Sequence, residues 1–352
     1  MKETIQFDTN MIVESKLDLP DVKFYDIDDE PIRIYGVWKE GGCYHRMPQA
    51  VADTVSHGIS VKCTATAGGR IRFVTDSPYV AIRAYYGGCE LTPSSSNLAK
   101  AGFDMYADGK FAGSFRLPKG FDAVSLESVV KLPGERKERL ITINMPLYSG
   151  IESMYVGLSE DAKISHAPDY KLEKPVVFYG SSITNGAGAS RPGANYVSRL
   201  ARKLDINYVN LGFGGLAKAE LQMAEYVAGL EMSAFVYDYD HNARTLEYLE
   251  ETHERMFKIV REKNPDLPIL IISKPDKNET EEVRFAVIKR TYENAIAAGD
   301  KNVYILRGTE FFGENGTDFT VDGIHPSDLG YYYMSEEIYP TLAKILQIST
   351  EK

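Results

Sequence analysis

The pattern of hydrophobic and polar positions changes near residue 165. Before that point, short segments alternate apolar and polar residues and are separated by Gly, Pro, Asp and Ser, a pattern typical of half-buried strands and their turns. The predicted strands are 32–38, 59–67, 70–76, 79–87, 102–115, 139–149 and 153–160. The Asp-Gly-Lys sequence at 108–110 predicts a hairpin turn. Strands at such short spacing favour a β-sandwich of the jelly-roll kind.

From about residue 174, apolar strands alternate with helices. The predicted strands are 175–180, 208–213, 234–240, 267–273 and 302–308, and the predicted helices are 194–204, 217–229, 245–263, 281–298 and 328–346. Because these strands are apolar throughout, we expect a parallel sheet covered by helices on both faces, an α/β fold. The charged segment 166–175 holds two prolines and is the predicted linker. We therefore predict a β-sandwich domain over 1–165 and an α/β domain over 174–352.

Composition and charge narrow the functions of this 352-residue chain. Its residues are 43% hydrophobic and 26% charged, as in ordinary globular proteins, and no run of about 18 apolar residues predicts a membrane span. The formal net charge of -10 disfavours a nucleic-acid partner, because phosphate binding requires a basic face. Cys43, Cys63 and Cys89 form no CxxC pair and have no metal-ligand spacing. We expect neither a disulfide framework nor a cysteine-based metal site.

The first residues contain no apolar stretch of the kind found in signal peptides. We therefore expect a cytoplasmic protein from the chain as given, and a secreted or periplasmic one if a leader has been removed.

Two Gly- and Ser-rich segments follow the first two strands of the α/β half. In open α/β sheets, functional groups collect at the carboxyl ends of the strands. Ser182, within GSSITNG (180–186), lies at a strand-to-helix turn, where a nucleophile is exposed near the positive end of a helix. The alternative is that its hydroxyl only caps the helix. The glycines of NLGFGG (210–215) can present N–H groups to an oxyanion, or can serve a tight turn.

The segment DYDHN (238–242) follows the third strand. Asn242 offers a side-chain N–H to an oxyanion, although an Asx turn before the next helix would also explain it. Asp238, Asp240 and His241 do not have the spacing of a metal site on an extended strand end, and we predict no metal there.

An Asp and a His lie three residues apart in DGIHPSDLG (322–330). One turn around the intervening Gly can place Asp322 against the imidazole of His325, which can then accept a proton from Ser182. The alternative is a turn with a chance His before a helix. Taken together, the strand ends supply a Ser, a Gly, an Asn and an Asp/His pair in order. These are the nucleophile, oxyanion donors, base and orienting group of an acyl-transfer site.

These residues resemble the motifs of the SGNH hydrolases, also called GDSL-like lipases or esterases. The matching residues are Gly180, Ser181, Ser182, Gly215, Asn242, Asp322 and His325, and the resemblance covers about 174–346. It implies a flavodoxin-like three-layer fold. The sequences GAGASRPG (186–193), NLGFGG and DGIHPSDLG are similar to a branch that carries an N-terminal β-domain, as in some carbohydrate esterases.

The sequence departs from the family motifs at two places. Ser181 stands where the family has Asp, at a position that usually supports the turn, and the third motif reads DYDHN instead of G-x-N-D. The G-x-S-x-G motif of the unrelated α/β-hydrolases is absent at Ser182.

The resemblance implies a carboxylic ester hydrolase that needs no cofactor and no metal. Ser182 would be the nucleophile, with His325 as base and Asp322 as its orienting partner. The backbone N–H groups of Ser182 and Gly215 and the Asn242 side chain would form the oxyanion hole.

The expected substrate is a short-acyl ester, with an O-acetyl ester of a carbohydrate as the leading case. Arg191, in the loop after the nucleophile, is a candidate for contacting an anionic group of the substrate, or else a solvated or ion-paired surface residue. The alternatives are a lipase or thioesterase for longer acyl chains and a non-catalytic carbohydrate-binding protein. A nucleotide-binding fold is disfavoured, because GFGG (212–215) is not GxGxxG. The oligomeric state is left open.

Overall fold

Antiparallel strands dominate the chain up to about residue 165. The computed structural model describes residues 17–89 and 95–349. The strands of this part are β1 (Val22–Asp26), β2 (Arg33–Tyr35), β3 (Trp38–Glu40), β4 (Cys43–His45), β5 (Arg70–Thr75), β6 (Tyr79–Cys89), β7 (Phe103–Ala107), β8 (Lys110–Phe115), β9 (Ser125–Lys131), β10 (Arg139–Asn144), β11 (Ser149–Ser159) and β12 (Ile164–Ser165). Its helices are α1 (Gln49–Val55), α2 (His57–Lys62) and α3 (Asn97–Ala101).

Two antiparallel sheets form the sandwich. One has the order β1-β11-β6-β9 and the other β12-β5-β10-β7-β8, with β2 on the same edge of β5 as β12. Alternate residues of β10 are buried, and Ile141 and Ile143 meet Val156 and Phe73 in one apolar core. This alternation is the physical basis of the strand prediction. The β-sandwich part of the predicted fold class is confirmed.

The strand predicted over 59–67 is wrong, because its first half forms helix α2. The Ser56 side chain accepts a hydrogen bond from the Ile59 N–H and caps the helix. Ile59 and Cys63, four residues apart, both lie in the apolar core beneath the α/β sheet. The β-branched residues of this segment favoured a strand, but the cap and the buried helical face outweigh that preference.

The second half contains the expected strand and helix alternation. The strands are β13 (Val176–Gly180), β14 (Tyr208–Gly212), β15 (Ala234–Asp238), β16 (Ile269–Ile272) and β17 (Val303–Leu306). The helices are α4 (Ser182–Asn185), α5 (Tyr196–Leu204), α6 (Leu221–Ala228), α7 (Leu246–Lys263), α8 (Glu281–Ala297) and α9 (Asp328–Ile345). Three-residue or longer 3₁₀ turns cover Pro192–Ala194, Asp240–Asn242, Gly308–Glu310 and Gly313–Phe319.

The strands form a parallel sheet with the order β14-β13-β15-β16-β17. Apolar clusters cover both of its faces, and β13 is buried at every residue. Helix α5 shows why the helices pack there: Val197, Leu200, Ala201 and Leu204 are buried at helical spacing. This order reverses direction beside β13, the position at which open α/β sheets bind ligands. The predicted flavodoxin-like class is confirmed.

A buried carboxylate joins the two parts of the chain. Asp104 on β7 is completely buried and accepts hydrogen bonds of 2.8 Å from the Asn144 side chain and from the Gly193 N–H of the α/β part. The Arg191 guanidinium lies 3.4 Å from it. Burial raises the pKa of Asp104 and is only partly opposed by these partners. The contact therefore places a β-sandwich residue against the loop that follows α4.

We expect Asp104→Ala to lower the free energy of unfolding by about 3 kcal/mol, because it leaves the Gly193 N–H and the Arg191 charge without their buried partner. Urea unfolding followed by circular dichroism measures this change. Asp169→Ala is the control, since Asp169 pairs with Arg33 at the surface and is 81% exposed. The control should change stability by less than about 0.5 kcal/mol. Equal losses in the two variants would contradict the assignment of Asp104 as a buried connection.

Candidate active site

Ser182 is the first residue of the short helix α4, directly after β13. The Ser181 hydroxyl accepts a hydrogen bond of 3.1 Å from the Ile183 N–H and caps the helix, so Ser181 supports the turn at this position. Ser181 is buried, whereas Ser182 is partly exposed. The two neighbouring serines therefore have different roles, and only the second presents its hydroxyl at the surface of the strand end.

Ser182, His325 and Asp322 form a continuous hydrogen-bonded relay. The Ser182 Oγ lies 2.9 Å from His325 Nε2, and His325 Nδ1 lies 2.7 Å from Asp322 Oδ2. Because an ionised carboxylate can only accept, Nδ1 carries the proton and Nε2 is free to accept one from the serine. The structure therefore brings together the three residues predicted for the relay, in the orientation that a general base requires.

The Asp322 carboxylate is held in its charged form. Its Oδ1 accepts hydrogen bonds from the His325 N–H at 2.8 Å and the Ile324 N–H at 3.1 Å. Partial burial opposes ionisation, but these bonds and the imidazole contact outweigh it and lower the pKa of Asp322. Gly323, at φ +86°, makes the turn that aims both N–H groups at one oxygen.

The turn after β14 lies beside Ser182 and contains the glycine predicted to donate to an oxyanion. Ser182 begins its helix, so its N–H precedes the first intrahelical bond. The N–H groups of Gly214 and Gly215 have no acceptor within residues 17–89 and 95–349. A Cβ on Gly214 would lie 3.2 Å from the Ser182 Cβ, whereas a Cβ on Gly215 would meet nothing within 4 Å. Gly214 therefore borders the nucleophile, and the predicted donation by the Gly215 N–H stays a prediction.

Asn242 is joined to the same turn. Its Nδ2 donates a hydrogen bond of 3.0 Å to the carbonyl of Phe213, the residue before Gly214. This bond occupies one of the two Nδ2 hydrogens and fixes the plane of the amide. No acceptor for the second hydrogen lies among residues 17–89 and 95–349, and its donation to an oxyanion stays a prediction.

A buried carboxylate supports the nucleophile helix from below. Asp238, the last residue of β15, accepts hydrogen bonds from the Thr184 hydroxyl at 2.8 Å and the Tyr196 hydroxyl at 2.9 Å. The Tyr331 hydroxyl of α9 lies 2.6 Å from the Ala187 carbonyl, just after α4. The sequence drew attention to Asp238 only as an unsuitable metal ligand, and its supporting role was not predicted. Thr184 lies within GSSITNG and Tyr331 directly follows DGIHPSDLG, but neither hydroxyl was singled out.

Asp238 at the end of β15 and His241 just after it bind different partners. Asp238 binds the two hydroxyls, while His241 Nε2 lies 2.8 Å from Asp276 Oδ1. In the described part of the chain, no three His, Cys, Asp or Glu side chains are grouped as a metal site.

Arg191 lies at the contact between the two parts of the chain. Its guanidinium is 3.4 Å from Asp104 and 3.4 Å from Asp328, and it stacks 4.3 Å from the centroid of the Phe111 ring. The Arg191 guanidinium, which we predicted as a contact for an anionic substrate group, therefore already has two carboxylate partners and a ring partner. The structure thus places Arg191 in an ion-paired position, and its contact with substrate stays a prediction.

The protonation of Asp238 beneath α4 can be tested through the pH dependence of stability. Burial, aided by the Asp240 charge and opposed by the Thr184 and Tyr196 bonds, raises the pKa of Asp238 from 3.8 to about 6. The folded protein therefore binds this proton more tightly than the unfolded chain, so its stabilising effect is present below about pH 4 and is lost as the pH rises through about 6. Asp238→Asn removes the titration.

From about pH 4 to pH 7, the unaltered protein should lose about 2 kcal/mol of its free energy of unfolding through Asp238, and Asp238→Asn should not show this loss. The difference in free energy of unfolding, Asp238→Asn minus unaltered protein, should therefore rise by about 2 kcal/mol. Urea unfolding at a series of pH values measures this difference. A difference that is constant over the range would show that Asp238 does not titrate there.

Comparisons with known proteins agree with this geometry. The model of the GDSL-like lipase/acylhydrolase family matches residues 173–343, and the model of the N-terminus of SGNH-hydro-type esterases matches residues 22–164. A comparison with curated proteins gave no match.

Solved structures share the fold over most of the chain. A protein from Bacteroides ovatus assigned to the GDSL-like lipases is 28% identical, with a TM-score of 0.83 over 94% of this chain and 100% of its own. A salicylyl-acyltransferase from a tetracycline biosynthetic pathway is 20% identical, with a TM-score of 0.75 over 93% and 98%. An acetyl xylan esterase from the rumen bacterium Butyrivibrio proteoclasticus is 14% identical, with a TM-score of 0.62 over 93% and 99%.

No helix within the described residues is long and apolar enough to cross a membrane.

The hydrogen-bonded Ser182 at the end of β13, the parallel sheet and the two family matches lead to one assignment. The chain belongs to the SGNH hydrolases, the GDSL-like lipase and acylhydrolase family, and is a carboxylic ester hydrolase.

Proposed function

We propose that the protein hydrolyses short-acyl esters, with O-acetylated carbohydrate as the substrate class, through an acyl-enzyme on Ser182. The observation that carries the proposal is the relay of 2.9 Å and 2.7 Å from Ser182 through His325 to Asp322. A complete relay of this geometry also argues against a purely carbohydrate-binding protein, which would not need it.

In the first step, the Ser182 Oγ attacks the ester carbonyl while its proton passes to His325 Nε2. The carbonyl oxygen becomes an oxyanion, which the free N–H groups beside Ser182 and the Asn242 side chain stabilise. The imidazolium then gives its proton to the leaving alcohol as the ester C–O bond breaks. Asp322, kept ionised by its hydrogen bonds, stabilises the imidazolium during this transfer.

In the second step, water attacks the acyl-enzyme. His325 Nε2 takes a proton from that water, and the carbonyl again becomes an oxyanion in the same position. Collapse of the intermediate breaks the bond to Ser182 Oγ, which recovers a proton from the imidazolium. The products are the carboxylic acid and the free serine, and the relay returns to its starting state without a cofactor.

The proposed substrate class is supported by the fold of the whole chain. A solved acetyl xylan esterase matches 93% of this chain, and its activity is the ground on which we propose an acetylated polysaccharide as substrate. At 14% identity this likeness concerns the fold. The acyl and alcohol groups of the substrate therefore require direct measurement.

A longer acyl chain is the second candidate, and a specific observation favours it. Val321 and Ile324 flank Asp322 and His325 in the relay turn and are 49% and 44% exposed. Leu329, at the start of α9, is 50% exposed. These apolar side chains offer a surface on which an acyl chain could lie next to the nucleophile.

Hydrolysis of p-nitrophenyl acetate and p-nitrophenyl octanoate separates the two candidates. We expect a higher kcat/KM for acetate and release of acetate from acetylated xylo-oligosaccharides, whereas a preference for octanoate would favour the lipase alternative. Ser182→Ala should lower kcat by at least about 10³-fold, because the nucleophile and its proton transfer are both lost.

A fluorophosphonate label should appear on Ser182 and not on Ser181 when the peptide is mapped by mass spectrometry. Unchanged activity of Ser182→Ala, or a label on Ser181, would contradict the proposed nucleophile.

Asn242→Ala should lower kcat by about 10²-fold to 10³-fold and change KM by less than about threefold, because the lost N–H is needed only by the oxyanion. Steady-state kinetics with p-nitrophenyl acetate measures both constants. Asn294→Ala is a suitable control, since Asn294 is an exposed residue of α8 whose side chain donates to Glu254 on α7. A rise in KM with unchanged kcat would instead place Asn242 in ground-state binding.

A further inference from the structure

Arg46 is a buried cation between the β-sandwich and the α/β sheet. It follows β4, and only 1% of its surface is exposed. Within the described ranges its hydrogen bonds go to carbonyl and amide oxygens, and no carboxylate is among them. Burial lowers its pKa to about 10. Because burying a charge without hydrogen bonds is unfavourable, the oxygen acceptors around Arg46 are needed to stabilise its buried charge.

These acceptors belong to two elements of the active site. Arg46 Nη1 donates to the Asn185 side chain at 3.1 Å and to the Gly212 carbonyl at 2.8 Å. Asn185 ends the helix that Ser182 begins, and Gly212 ends β14, just before the turn with the free N–H groups. One guanidinium therefore bridges the nucleophile helix and the strand that leads into the oxyanion turn.

The same guanidinium stacks on Phe213. Its central carbon lies 4.4 Å from the centroid of the Phe213 ring. The Phe213 N–H donates to the Gly180 carbonyl at 2.9 Å, and the Phe213 carbonyl accepts the 3.0 Å bond from Asn242. The position of this one residue thus sets both the start of the Gly214–Gly215 turn and the orientation of the Asn242 amide.

A third contact anchors Arg46 in its own part of the chain. The side-chain Nη2 of Arg46 donates to the Lys62 carbonyl at 3.0 Å, and the backbone N–H of Arg46 donates to the Cys63 carbonyl at 2.8 Å. The end of α2 therefore holds the base and the tip of the side chain together. This gives the guanidinium a fixed origin, as a positioning group requires.

We propose that Arg46 is a positioning residue for the oxyanion hole, supplied by the N-terminal half of the chain. It fixes the separation of the nucleophile helix and the 212–215 turn, and through Phe213 it orients Asn242. The kinetic part of this proposal rests on the proposed esterase function, and its structural part does not.

The test replaces Arg46 by Met, which keeps a long unbranched side chain and removes the charge and its hydrogen bonds. We expect kcat for p-nitrophenyl acetate to fall by about 10-fold to 100-fold, since a displacement of about 1 Å in the reacting geometry costs up to about 10²-fold. KM should change by less than about threefold, because the substrate ground state does not use the oxyanion donors. Arg46→Lys, which keeps the charge and folds more readily, should recover part of the lost kcat.

Arg70→Met is the matched control. Arg70 is 2% exposed, lies at the same contact between the two parts of the chain, and donates to the Tyr208 carbonyl at 3.2 Å and the Asn207 side chain at 2.6 Å. These acceptors are at the opposite end of β14 from the oxyanion turn. Arg70→Met should lower stability as Arg46→Met does and leave kcat within about twofold of its original value. An equal loss of kcat in both variants would overturn the proposal, because it would show a general loosening of the contact.

Hydrogen exchange gives a readout that does not depend on catalysis. In Arg46→Met, exchange should accelerate at least about tenfold at the amides of 213, 216 and 217 and of 185–187, whose bonds lie in the two bridged elements, and Arg70→Met should leave them protected. If the unaltered protein hydrolyses none of the esters, the proposed function fails, and this exchange pattern still decides the role of Arg46. Unchanged exchange in Arg46→Met would overturn the positioning role whatever the kinetics show.

Discussion

The site depends on the parallel register of β13 with its two neighbours. Gly180 is paired with Gly212 of β14 and with Asp238 of β15, so the three strands end at one level. The loops that carry the nucleophile, the oxyanion turn and Asn242 therefore begin side by side. Close packing requires glycine at two of these ends: a Cβ would lie 2.2 Å from the Asp238 carbonyl oxygen at Gly180, and 2.2 Å from the Asn185 nitrogen at Gly212. A side chain at either position would separate the elements that must act together.

The proton relay comes from outside the sheet and is attached to it separately. An isolated bridge between Thr320 and Pro326 closes the turn that holds Asp322 and His325, and α9 follows directly. The Tyr331 hydroxyl of α9 then lies against the Ile183 carbonyl within α4 and the Ala187 carbonyl just after it, so the helix that follows His325 also holds the helix that begins at Ser182. This connection explains how a turn far along the chain keeps His325 within 2.9 Å of Ser182.

Local periodicity and strand-end chemistry were sufficient to predict the fold class and to find the relay. Each prediction depended on a few neighbouring residues. The apolar run of β13 predicted a buried strand, and the three-residue spacing of Asp322 and His325 predicted their pairing. Residues that act across the two halves gave no such signal. Asp104 lies in a predicted strand and Arg46 in a segment with no predicted element, and their contacts arise only when Gly193 and Gly212 are brought against them. The error over 59–67 has a similar origin, because the helical face of α2 is buried against the distant α/β core.

The N-terminal half packs directly against the segments next to Ser182. It contributes the Leu147 carbonyl to the Asn185 side chain, the Asp104 carboxylate to the Gly193 N–H, and the Arg46 guanidinium to Gly212. Asn185 belongs to α4 and Gly212 ends β14, whereas Gly193 lies farther along the loop that follows α4. The charges of Asp104 and Arg46 are buried at this contact, and separating the two halves would remove the partners that compensate for their burial.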